Sequence, residues 1–219
     1  MKKAKILLAL LLTALFVLSA LGSGESSSSS DTPVADDNVV ETAAPSKELS
    51  RGTITGDTYA NEFADFTFMK PTDWTFATDD EIAETINLGQ DILDLSNLEQ
   101  ALSNTASVYD MYAHDDYGNS VMVCYENTLV SGGSTYTVDE YVSILISNME
   151  SVESPSYTFI SSEDVTFGHT DYQKLVFVGN YDGVEINQAY YITVIDNYAI
   201  SIITTSATET LDSLEALLY

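Results

Sequence analysis

The chain has 219 residues, 45% of them hydrophobic, with 34 acidic against 7 basic side chains and a formal charge of −27. A field of that sign repels phosphate backbones and anionic headgroups, which excludes nucleic-acid binding and attracts basic partners and cations. The single cysteine, Cys124, rules out an internal disulfide.

Lys2, Lys3 and Lys5 precede an apolar run from Ile6 to Leu21, and Ala20 and Gly22 stand at the −3 and −1 positions of a cut before Ser23. Residues 1–22 therefore read as an export signal. The run is about 24 Å long as a helix, short for a hydrocarbon core of about 30 Å. Cleavage would leave a mature charge of about −30; uncut, the segment would hold the protein at the membrane, the one membrane contact expected. A lipoprotein needs a cysteine directly after its signal, and "LSALGSGESSSSS" has none. The expected location is beyond the cytoplasmic membrane, secreted or attached to the envelope. Residues 23–51, with five consecutive serines, prolines and several acids, cannot offset their ordering entropy and read as a linker. Residues 52–219 have the length of one domain.

"DTYANEFADFTFMKPTDW" predicts two short strands around Ala64 and Asp65, the second ended by Pro71, which has no N–H to give. Thr78 and Glu81 form a capping box that opens a helix with Ile82, Ile86, Gly89 and Leu93 on one face. A short helical turn is expected over residues 96–102. "ASVYDMYAH" and "SVMVCYEN" alternate as strands across the turn Asp115–Asn119, and Cys124 reads as a small buried hydrophobe. A second box, Thr137 with Glu140, opens a helix carrying Tyr141, Leu145 and Met149. A strand over Tyr157–Ser161 follows. Then comes a meander of "DVTFG", "DYQKLVFVGNY", "VEINQAYYITVI" and "YAISIITTSA", jointed at Gly168-His169, Asp182-Gly183 and Asp196-Asn197. Ser206 with Glu209 predicts the cap of a last helix with Leu211, Leu214 and Leu218 inward.

Hairpin-joined strands are antiparallel, so the order predicts an α+β domain. Runs such as "KLVFV" are apolar on both faces, which predicts one twisted sheet with helices packed on each side. Gly52, Tyr59, Asn61, Phe63, Phe66, Phe68, Pro71 and Trp74, with the acid-rich helix after them, resemble the opening of PsbP-like α/β/α sandwich domains. The resemblance is especially to small exported proteins and lipoproteins of Gram-positive bacteria. It spans residues 52–219, and its motifs mark a fold; the better-known members of the superfamily are non-enzymatic, and no residue set of theirs that would carry a role over is identifiable here. Phe66, Phe68, Pro71 and Trp74 are accordingly expected to form a corner of the core.

Chemistry is sparse. The two histidines, His114 and His169, sit beside turns, and no nucleophile elbow, phosphate loop or dinucleotide fingerprint is present. No catalytic residue, cofactor or ligand-binding residue is assigned. The first expectation is a binding or accessory domain on a flexible stalk, its sheet edge or a sheet–helix crevice meeting a protein, peptide or cell-wall component. The alternative is a calcium- or other cation-dependent surface module with Asp115, Asp116 and Asn119 as metal ligands, although the stretch lacks the spacing and terminal Glu of an EF-hand. A third is a hydrolase that uses acids alone.

Overall fold

The computed structural model describes residues 47–85, 97–153, 155–181 and 183–219. The export signal, most of the linker, Ile86, Gly89, Leu93 and Asp182 lie outside the described residues. Among those described, no helix is long and apolar enough to cross a membrane.

The chain opens with β1 (Thr53–Thr55), β2 (Thr58–Asn61) and β3 (Phe66–Met69), followed by β4 (Thr75–Phe76) and helices α1 (Asp79–Thr85) and α2 (Leu98–Thr105). Next are β5 (Ser107–His114), β6 (Ser120–Asn127), the single turn α3 (Thr128–Ser131) and the long helix α4 (Val138–Ser151). The meander is β7 (Ser156–Phe167), β8 (Thr170–Tyr181), β9 (Val184–Ile195) and β10 (Tyr198–Ser206), and α5 (Leu211–Glu215) closes the chain. Every strand pair is antiparallel, as expected of an α+β domain.

The strands divide between two sheets and not one. β4-β5-β6-β10-β9-β8-β7 is the main sheet, and β1-β2-β3 is a small sheet of its own. Pro71 interrupts the run after β3, and Tyr59, Phe66 and Phe68 face the main sheet, so the opening strands pack on its face instead of extending its edge. The C-terminal residues ladder onto β3: Thr67 and Tyr219 exchange N–H···O bonds of 2.9 and 2.8 Å, and Met69 N donates to Leu217 O.

Two apolar layers result. On one face, Tyr59, Phe63, Phe68 and Trp74 pack with Leu102 of α2, Leu214 of α5 and Tyr191 and Ile202 of the sheet. On the other, Ile82 of α1 and Tyr141, Leu145 and Met149 of α4 cover Cys124, Leu175, Phe177 and Tyr190. Helices thus lie on both sides, joined on one side by the small sheet. Each buried Leu, Met or Phe contributes about 1.5–3 kcal/mol. A cap adds about 1, so face burial is what holds α4 down.

The boxes at Thr78 and Thr137 form as expected, with Glu81 N and Glu140 N donating back to the threonine hydroxyls. The residue-96 turn is α2, capped by Asn97. The last helix starts later than the Ser206 box predicts. Its N-cap is Thr210, because Asn119 already accepts the backbone N–H groups of Ala207, Thr208 and Glu209.

Two bulges change which residues face which layer. A register shift between Tyr109 and Met111 lets Val108 and Met111 share one face and Tyr109 and Tyr112 the other. A second, between Phe159 and Ser161, reverses the alternation of β7: Tyr157 and Phe159 face α4, whereas Val165 and Phe167 face the opposite layer. The segments read as two strands, Tyr157–Ser161 and "DVTFG", are one. At the β7–β8 turn Gly168 has φ +56°, and a Cβ there would stand 2.3 Å from Asp65 O.

Candidate functional site

The expected core corner forms. Phe66, Phe68 and Trp74 are buried, and Phe68 sits 6.4 Å from Trp74 and 6.1 Å, edge-on, from Phe76. Pro71 is half-buried at the turn. Trp74, only 3% exposed, has no surface to offer a partner.

The residues named as metal ligands are partly brought together. Asp115 Oδ1 accepts from Tyr117 N and Asn119 N, and Asp115 Oδ2 from Asn119 Nδ2 at 2.6 Å. Asn119 Oδ1 takes three backbone N–H groups at 3.0–3.2 Å, and its Nδ2 also reaches Thr208 Oγ1. These oxygens are aimed at donors, and the effect is to latch the β5–β6 turn to the start of α5. Asp116 is exposed outside this set. Among the described residues there is no group of three or more His, Cys, Asp or Glu placed to hold a metal.

His114 stacks on Tyr112 with ring centroids 5.0 Å apart, and its Nδ1 lies 3.2 Å from Asp115 O. His169 is 95% exposed, with Nδ1 3.4 Å from Asp65 Oδ2. The backbone N–H of His169 and the charges of Lys47 and His169 hold the Asp65 carboxyl below its usual range, against a smaller effect of burial. Cys124 is buried and free, and burial, followed by the neighbouring Glu126, pushes its thiol well up and away from thiolate chemistry.

Three buried charges escaped the sequence reading. Asp110, placed at the β5 bulge, accepts from Arg51 Nε at 2.6 Å, Gly52 N at 2.7 Å and Tyr59 OH at 2.6 Å. Arg51 was assigned to the linker; it instead docks into the domain, with its other nitrogens bidentate on Asp79 at the start of α1. Asn61 Nδ2 extends the network to Tyr59 and Tyr125, whose hydroxyl reaches Ser50 O. Glu126 is covered by α4 and accepts from Tyr141 OH at 2.7 Å; burial raises its pKa, with the hydrogen bonds of Ser131 and Tyr141 working the other way. Lys174 joins Glu163 at 2.8 Å to Glu215 of α5 at 2.5 Å over the Tyr191 ring. The visible signal for two of them was a lone acid within an apolar strand, as in "SVYDMYAH" and "SVMVCYEN"; such an acid is either a solvated outward position or a buried, paired one.

All four basic side chains of the described residues are engaged with carboxylates: Lys47 with Asp65, Arg51 with Asp79 and Asp110, Lys70 with Asp57, and Lys174 with its two glutamates. The remaining acids leave the surface without a free cation of its own among these residues.

The main sheet ends on one side in β4, two residues long, and on the other in β7, twelve residues long. Among the named strands β7 pairs only with β8, and apart from an isolated bridge between Glu153 and its first residue, Ser156, no described segment sends a backbone hydrogen bond to its outer rim. From Ile160 to Asp164 it is exposed without interruption, with Ile160 at 55%. This rim is the candidate binding edge. A separate depression of about 370 Å³ is lined by Lys47, Leu49, Ser50, Glu62 and Phe63.

No family model and no curated protein matches the sequence. Solved structures do. The chain is similar to the cyanobacterial PsbP (CyanoP) from Synechocystis sp. PCC 6803, at 10% identity and a TM-score of 0.46, over 86% of this chain and 99% of that one. It is similar also to LpqN, a protein involved in cell envelope biogenesis in Mycobacterium tuberculosis, at 7% identity and a TM-score of 0.39, over 69% and 75%. A Bacteroides thetaiotaomicron protein matches at 18% identity and a TM-score of 0.37, over 76% of this chain and 48% of its own.

Proposed function

We propose that this chain is an exported, non-enzymatic binding or accessory domain that meets its partner along the outer rim of β7. The observation that carries this reading is the rim itself: a twelve-residue edge strand with unpaired backbone groups on its outer side among the described residues. Such an edge offers a row of N–H and C=O groups to an added strand. The N-terminal pattern of residues 1–22 supports export. The uses of the buried charges support a non-catalytic role, since Arg51–Asp110, Glu126–Tyr141 and Lys174–Glu215 each tie one element to another.

The test is a photo-crosslinking side chain installed at Ile160 in living cells, with a second at Ile54, which is similarly exposed on the small sheet. Discrete adducts from Ile160 and none from Ile54 are expected. Equal adducts from both positions, or none from Ile160 in folded protein, overturn the reading.

A further inference from the structure

We propose that the partner is a cationic extended segment, added to β7 as a further strand over Ile160–Thr166, with a basic side chain set against Asp164 and Gln173. This rests on the reading of β7 as the binding edge, and it names what that edge selects.

The acceptors are arranged across the strands. Asp164 stands directly opposite Gln173 of β8 and is exposed. Gln173 Oε1 is buried and has no hydrogen-bond partner. Two pairs along, and so on the same face, Thr166 Oγ1 donates to Asp171 Oδ1 at 2.9 Å, adding another carboxylate. An ammonium or guanidinium carried by an added strand would pair with the exposed carboxylate of Asp164, with the Gln173 side chain beside it. On the opposite face of β7, Glu163 is 61% exposed while it holds Lys174, so a second basic side chain of the segment meets negative charge there also.

The same charges decide against the commonest other occupant. A second copy pairing edge to edge would bring Glu163 and Asp164 against acids of the same kind, and like charges on facing strands repel. The fully engaged lysines and arginine leave no free cation among the described residues to offset this. The Ile160 bulge supplies an exposed apolar side chain at the start of the open stretch, and the added strand would cover it.

The experiment uses the full-length protein and three fluorescein-labelled peptides of about ten residues, the span of a strand of this size. One alternates Lys with Val and Thr; one replaces each Lys with Gln; one keeps Lys but is N-methylated at every second residue, which blocks strand pairing and keeps the charge. Fluorescence anisotropy is expected to show the Lys peptide binding at least about tenfold tighter than the Gln peptide. N-methylation should cost at least as much, and Asp164→Lys should weaken the Lys peptide about tenfold with the melting temperature unchanged. Equal binding of the Lys and Gln peptides, with no binding of the N-methylated one, overturns the cationic partner and leaves the edge reading standing. Undiminished binding of the N-methylated peptide shows diffuse attraction and overturns both. Binding by none of the three overturns the proposal.

Discussion

Arg51 Nε stands 2.6 Å from Asp110 Oδ1, and the aspartate side chain has no exposed surface. The pair is made possible by the bulge at Asp110, which frees a strand residue from the ladder and turns it toward the small sheet. Hydrogen bonds to Asp79 and Asp110 raise the guanidinium pKa, although burial, the largest single effect, works against it. Removing the Asp110 carboxylate leaves Arg51 on Asp79 alone and takes the acceptor from Gly52 N and Tyr59 OH, and an unsatisfied buried donor costs about 1–3 kcal/mol. Asp110→Ala is therefore expected to lower the urea midpoint strongly, and Asp110→Asn less, because it can still accept from Tyr59. Equal stabilities of wild type and Asp110→Ala in equilibrium unfolding would refute this role.

Glu126 gives the protein a pH dependence of definite sign. Its folded pKa is raised by burial, so the stability linked to it is fully present below the ordinary glutamate value. That stability is lost as pH rises through the raised value. Glu126→Gln keeps an acceptor for Tyr141 and removes the charge. The variant is expected to melt higher than wild type at neutral pH and to lose this advantage under acid conditions; a variant that melts lower at every pH would contradict the argument.

The Asn119 latch yields a paired expectation. Asn119→Ala unpairs three backbone N–H groups ahead of α5, and an unsatisfied group costs about 1–3 kcal/mol where it stays buried. Thermal unfolding should show that loss. Millimolar calcium should leave the melting temperature of wild type and variant alike unmoved, since the oxygens of Asp115 and Asn119 already accept N–H bonds. A calcium-dependent rise in wild type alone would support the cation module.

Gly168 offers a backbone test. With φ +56° and no room for a Cβ beside Asp65 O, Gly168→Ala is expected to cost about 1–3 kcal/mol. Hydrogen exchange should quicken first at the β7–β8 turn and at Asp65; an unchanged exchange pattern would mean the turns are not locked together.

What could be read from the sequence was local. The Thr78 and Thr137 boxes, the Asp115–Asn119 turn and the last three strands of the meander each carry their signal within a few residues, and each stands where it was placed. The corner at Phe68 and Trp74 was legible because alternation and a proline mark it. What escaped depends on partners far away. Composition put Arg51 in the linker, and nothing near it announces Asp110, 59 positions on. The Ser206 box failed because Asn119, distant in sequence, takes the N–H groups it would have capped. β7 read as two strands because a bulge reverses alternation without any residue type of its own. The separate small sheet was hidden for a similar reason: hairpin signals say which strands are joined, and not whether a hairpin continues an edge or covers a face. As for the binding edge, periodicity identifies strands but cannot order them, so β7 became an edge only once β10 was seen between β6 and β9.

The ladder between Thr67 and Tyr219 bears on how the molecule is made. The opening hairpin leaves the ribosome early, yet the strand that completes its sheet is the tail, about 150 residues behind it. Until that tail arrives, Phe68 has neither Leu218 beside it nor the packed layer beneath. A polypeptide threaded through a translocation pore from its N-terminal end would emerge unable to finish its first layer, and would close it only after Tyr219 had crossed.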